Sequence, residues 1–122
     1  MKSQTTVVDI REVTKDDTDV VYIGRQMPRM GLKRSIWAND YTVADYGRTR
    51  ALELYEAEIR LRLASTQADH WRQELEKLRG KKLVCWCRKG GAELPCHGTV
   101  LVKLLDELAV GKLTQVHLFA TA

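Results

Sequence analysis

The spacing of apolar positions changes several times along the chain, and each change marks an element. "TTVVDIR" at 5–11 is short and β-branched and predicts a first strand, and "DVVYIG" at 19–24 predicts a second that ends on Gly24. From Thr49, a plausible N-cap, the period lengthens. Leu52, Tyr55, Ile59 and Leu63 fall on one helical stripe. Thr66 followed by Asp69 has the form of a capping box, which predicts a second helix with Trp71, Leu75 and Leu78 inward and Gly80 as its stop. "KKLVCWC" at 81–87 is nearly all apolar, as a strand covered on both faces of a parallel sheet should be. "CHGTVLVKLLDELAV" predicts a third helix with Leu101, Leu104, Leu105 and Leu108 inward and Gly111 closing it, and "LTQVHLF" predicts a last strand. The order implies a single three-layer α/β domain over residues 1–122, with a mostly parallel central sheet, about four strands and three helices.

Between Arg25 and Arg48 the periodicity disappears, and Pro28, Gly31, Asn39, Asp40 and Gly47 punctuate the segment. A connection of that length in a small domain is functional or disordered. Met27, Trp37, Tyr41 and Tyr46 argue against disorder. Arg25, Arg29, Lys33 and Arg34 crowd its first part with no acidic neighbour, which suits a phosphate-bearing ligand, nucleic acid or simply a solvated basic loop.

All three cysteines lie in "LVCWCRKGGAELPCHGTVLVKLL", residues 83–105. On a strand, Leu83, Cys85 and Cys87 share one face and Val84 and Trp86 the other. The strand ends near Cys87 and the helix begins near Cys96, so the seam falls at the carboxyl edge of the sheet, where open α/β folds bind ligands. The helix N-terminus adds backbone N–H donors, Gly98 allows close approach and Thr99 offers a hydroxyl. Three readings stand side by side. Cys96 is a nucleophilic thiolate aided by His97. Alternatively, Cys85, Cys87, Cys96 and His97 hold zinc or iron, against which stands the adjacency of ligands at 96 and 97. Or Cys85 and Cys87 are small buried hydrophobes while Cys96 and His97 shape a pocket.

Bulk composition narrows the classes only slightly. The 122 residues suffice for a core without disulfides, and 44% hydrophobic content is that of a globular domain. An odd cysteine count opposes a disulfide framework. The absence of a bilayer-length apolar run and of a leader-like start predicts a cytoplasmic protein with no membrane partner. The net charge of +4 is spread, and no helix is rich in Arg and Lys.

Taken together, "VYIGR" at 21–25, "SIWAND" at 35–40, "GRTRALELY" at 47–55, "LRGKKLVCWC" at 78–87 and "LPCHGTVL" at 94–101 resemble the motifs of domain-of-unknown-function family 4326, small bacterial and phage proteins. The chain departs from that pattern in having Asp40 where relatives usually carry proline, Thr99 where they often carry an acidic residue, and a longer segment between Cys87 and Cys96. The resemblance implies an α/β fold whose motif residues gather at loops and element ends, and it implies no reaction.

The expected function is a site for a nucleotide or related phosphorylated small molecule, between the 24–48 loop and the seam of strand three with helix three, which sequesters or processes its ligand. Gly24, Arg25, Arg29, Trp37, Asn39, Tyr41, Cys87, Gly98 and Thr99 are the candidate ligand-binding residues, with arginines pairing with phosphate, Trp37 or Tyr41 stacking on a base and Asn39 bonding its edge. Cys96 and His97 are the candidate catalytic pair for a nucleotide- or glycosidic-bond-processing enzyme, with Asp40 and Asp45 the other available bases. Metal binding and a nucleic-acid or protein adaptor role are the alternatives, and no cofactor is specified. His70, Trp71 and the last strand could serve an oligomer interface, and His117 reads as structural.

Overall fold

The structure, a computed structural model, describes residues 5–85 and 96–110. Trp86, Cys87, Gly111, His117 and the expected strand at 113–119 lie outside the described residues. Three strands form one parallel sheet: β1 (Thr6–Asp9), β2 (Val20–Tyr22) and β3 (Lys82–Cys85), in the order β1-β3-β2. The nearly continuous apolar strand is therefore central, as its composition requires. Leu83 and Cys85 on one face and Val84 on the other are all buried.

Register fixes what each face carries. Val7, Leu83 and Val21 form one row across the sheet, and Val8, Val84 and Tyr22 the next. The first row joins the main core with Ile23, and the second stands outside it. Thr5 helps lock the register: its hydroxyl donates to the Leu78 carbonyl (3.3 Å) and accepts from Gly80 N–H (2.9 Å), clasping the start of β1 to the turn before β3. β1 is shorter than the apolar pattern suggested. Asp9 accepts the Arg11 N–H (2.8 Å) while Glu12 accepts the Asp9 N–H (3.2 Å), and this reciprocal cap turns Ile10–Glu12 into a single 3-10 turn.

Four helices follow: α1 (Val43–Tyr46), α2 (Arg48–Leu63), α3 (Ala68–Glu76) and α4 (His97–Ala109). α1 is a single turn, too short to show a periodicity in the sequence; Thr42 caps it by accepting the Asp45 N–H. α2 begins one residue before Thr49, with Gly47 at its N-cap at a positive φ of 79°. Its buried row is Ala51, Tyr55, Ile59 and Leu63, a strict four-residue step, while Leu52 is only partly buried. The Thr66–Asp69 capping box does not form. Gln67 is the N-cap of α3 without a side-chain bond, and the hydroxyl of Ser65 takes the Gln67 N–H (3.1 Å) instead.

α4 lies against β1 and β3, and α2 and α3 pack on α4 and on each other. Leu101, Leu104 and Leu105 are fully buried between them, and Leu108 packs at the rim. Ion pairs stitch the outer surfaces: Arg60 joins Glu56 of α2 to Glu107 of α4 at 2.9 and 2.7 Å, and Arg79 bonds Glu76. Among the described residues no helix is long and apolar enough to cross a membrane.

Candidate functional site

The three described strands run the same way, so Asp9, the Tyr22–Gly24 corner and Cys85 lie toward one edge of the sheet, and the N-terminus of α4 is set beside it. What places the helix there is His97. Its Nε2 lies 2.7 Å from the Ile23 carbonyl, and because a carbonyl only accepts, Nε2 carries the hydrogen. The ring also meets Tyr55 edge-on, with centroids 5.3 Å apart. His97 is only 3% exposed. Burial pushes its pKa below the ordinary histidine value, opposed by the bond to Ile23 and by Cys96, and reinforced by the charge of Arg25.

Cys96 is the N-cap of α4, in extended conformation, and its N–H donates to the Thr99 hydroxyl at 3.2 Å. Its sulfur lies 3.5 Å from that of Cys85, and both are buried. The fold thus brings Cys85 and Cys96 together while His97 turns to Ile23. Among the described residues there is no group of three or more His, Cys, Asp or Glu able to hold a metal.

Gly98 faces the sheet. A Cβ at this position would stand 2.9 Å from Val7 Cγ1 and 3.0 Å from Ile23 Cδ1, so the space expected for a ligand is filled by strand side chains and the glycine permits helix–sheet contact. Thr99 is exposed and engaged with the Cys96 N–H.

At the end of β2 the Tyr22 ring folds over Gly24. Its hydroxyl donates to the Arg25 carbonyl at 2.6 Å, and a Cβ on Gly24 would lie 2.5 Å from that oxygen. Arg25 is exposed, and its charge reaches both His97 and Asp40. Arg29 sits exposed on a tight turn closed by the Met27–Leu32 bridge, with Gly31 at a φ of 68°. Neither arginine has a salt bridge among the described residues, whereas Arg34 grips Asp40 through two 2.7 Å bonds and holds that carboxyl below the usual aspartate range.

Trp37 packs in the core edge-on to Trp71, at 5.6 Å, and its carbonyl accepts the Tyr55 hydroxyl at 2.7 Å. It pins the loop rather than offering a stacking face. Asn39 accepts the Tyr41 N–H in a local turn. Tyr41 donates to Glu58, and that hydrogen bond, together with the carboxylate's charge, raises the phenol pKa; its ring meets Tyr46. A surface groove of about 460 Å³ lies on the outer side of α3, lined by Asp69, Arg72, Gln73, Glu76 and Lys77, with none of the candidate residues.

The sequence pattern assigns no site role to Asp9, Tyr22 or Tyr55. Asp9 is buried at the carboxyl end of β1, opposite Cys85, and bonds the Arg11 guanidinium through both oxygens at 2.7 Å. A carboxylate closing a β-branched strand was the signal for it.

The described residues define a small α/β domain built on a sheet of three parallel strands. The chain belongs to the family described as Domain of unknown function (DUF4326), whose sequence model matches residues 8–107. No curated protein and no solved structure matches it.

Proposed function

We propose that this protein binds a small phosphorylated molecule, of which a nucleotide is the leading class, at the carboxyl edge of its sheet. The observation that carries the reading is the 2.7 Å bond of His97, the first residue of α4, to the Ile23 carbonyl, which sets the N-terminus of that helix beside the corner from which the exposed Arg25 projects two residues later. A guanidinium and the positive end of a helix dipole on one side of a parallel sheet favour an anion. Arg29, on the next turn of the same loop, adds a second guanidinium without a carboxylate partner among the described residues.

Holding the ligand suits the site better than transforming it. His97 and Cys96 are buried, and the Nε2 hydrogen of His97 is committed to Ile23. Titration calorimetry of the full chain with AMP, ADP, ATP and inorganic phosphate tests the reading. At least one should bind, Arg25→Ala should weaken it by about tenfold or more, as loss of a charge-assisted hydrogen bond does, and the ligand should be recovered intact. Failure of all four probes to bind would count against the proposal, and recovery of a cleaved ligand would convert it to an enzymatic one.

A further inference from the structure

Cys85 and Cys96 are not used by the proposed anion site, yet their placement is unusual. One lies on the central strand, the other caps α4, and eleven positions of sequence separate two sulfurs that lie 3.5 Å apart. Both residues are almost wholly buried, at 0% and 1% exposure. Separate burial as small hydrophobes would require only that each thiol meet apolar neighbours. Here the two sulfurs are in direct contact at 3.5 Å, close enough for one thiol to hydrogen-bond the other.

The surroundings differ for the two thiols. Cys85 sits on the strand among Leu83 and the core. Cys96 is the N-cap of the thirteen-residue α4, beside the free N–H groups of its first turn, the kind of position from which a cysteine acts as the attacking sulfur. An asymmetric pair of this kind assigns roles: Cys96 is the attacking sulfur and Cys85 the resolving one.

We infer that Cys85 and Cys96 form an oxidisable dithiol, which a hydroperoxide converts to a disulfide joining the end of β3 to the N-cap of α4. In the first step the Cys96 thiolate attacks one oxygen of hydrogen peroxide. The O–O bond breaks, Cys96 becomes a sulfenic acid, and hydroxide leaves and takes up a proton to form water. In the second step the Cys85 sulfur attacks the Cys96 sulfur. The S–O bond breaks, the Cys85 proton and the departing hydroxide leave as a second water, and the disulfide forms. Two thiols are oxidised by two electrons, and one peroxide is reduced to two waters. Peroxide is small enough to reach thiols that bulky reagents do not, and a small thiol such as dithiothreitol reverses the bond by exchange.

The test is peptide mapping of the intact chain. Folded protein is exposed to hydrogen peroxide, the remaining thiols are blocked with N-ethylmaleimide in denaturant, and tryptic peptides are analysed by mass spectrometry. Cys85 and Cys87 share the peptide 83–88, so the mapping is repeated on Cys87→Ser. The expected result is one link between that peptide and the one carrying Cys96, with loss of two hydrogens, in both wild type and Cys87→Ser. Cys85→Ser and Cys96→Ser should lack it, the latter accumulating no sulfenic acid at 85. Dithiothreitol should restore both thiols, and far-ultraviolet circular dichroism should show the fold kept throughout. A link that survives in Cys85→Ser, or thiols that stay fully alkylatable after peroxide, would overturn the inference.

Discussion

The imidazole of His97 donates its Nε2 hydrogen to the carbonyl of Ile23 across 2.7 Å, so that the first residue of α4 is fastened to the residue just beyond β2. The contact is buried, so removing the imidazole takes from the Ile23 carbonyl the bond that His97 supplies there. His97→Ala should therefore cost on the order of 1–3 kcal/mol for the orphaned carbonyl, plus the lost packing on Tyr55. Urea denaturation of the variant measures it.

The same burial sets a pH dependence. The folded pKa of His97 is depressed, mainly by desolvation, so the unfolded chain binds the proton more readily. The stability tied to this group is constant above about pH 6.5, the ordinary histidine value, and falls as the pH drops below it. Cys96 and Arg25 act on the same ring, in opposite directions. His97→Gln keeps a donor without the titration. The difference in unfolding free energy between wild type and His97→Gln should shrink on acidification from about pH 7.5 to about pH 5.5. A difference that stays flat would mean that the imidazole is not held neutral.

Gly98 separates a packing role from a ligand role. Its missing Cβ is where Val7 and Ile23 already stand, so Gly98→Ala overfills the helix–sheet interface and should cost about 1–3 kcal/mol in thermal or chemical unfolding. Val7→Ala frees space on the strand side, so the double variant should lose less than the sum of the two single ones. Full stability of Gly98→Ala together with lost ligand binding would return the glycine to the ligand.

Tyr22 and Gly24 form a second testable pair. Gly24→Ala drives a methyl into the Tyr22 hydroxyl and lifts it from the Arg25 carbonyl. The alanine should destabilise the wild type clearly and a Tyr22→Ala background much less, with a coupling of about 0.5–3 kcal/mol in a double-mutant cycle. Tyr22→Phe keeps the ring and loses only an exposed hydrogen bond, about 0.5–1.5 kcal/mol. Additive effects in the cycle would show that ring and glycine do not meet.

Tyr55 reaches from α2 to hold the loop by the Trp37 carbonyl. Tyr55→Phe preserves the ring and its contact with His97 but leaves that carbonyl buried and unbonded, at a cost of about 1–3 kcal/mol. Hydrogen exchange should report faster opening around residues 35–41 in this variant than in wild type. Unchanged exchange there would assign the loop's order to Trp37 packing alone.

Strand composition by itself determined the sheet. A run as apolar as "KLVC" can only sit where both faces are covered, and it is central. Periodicity likewise determined α2 and α4, because Tyr55, Ile59 and Leu63, and Leu101, Leu104 and Leu105, repeat over enough turns to be legible. The motif string was equally readable and led to the family that the sequence model confirms. Tertiary structure decided what each motif residue touches. Gly98 turns toward Val7, Trp37 turns inward to Tyr55 and Trp71, and His97 bonds a carbonyl seventy-four residues earlier in the chain. Composition and spacing specify which face of an element is apolar. They leave open which distant backbone group a polar side chain meets, because that depends on how strands cross and how closely a helix can approach, over separations that no local pattern encodes.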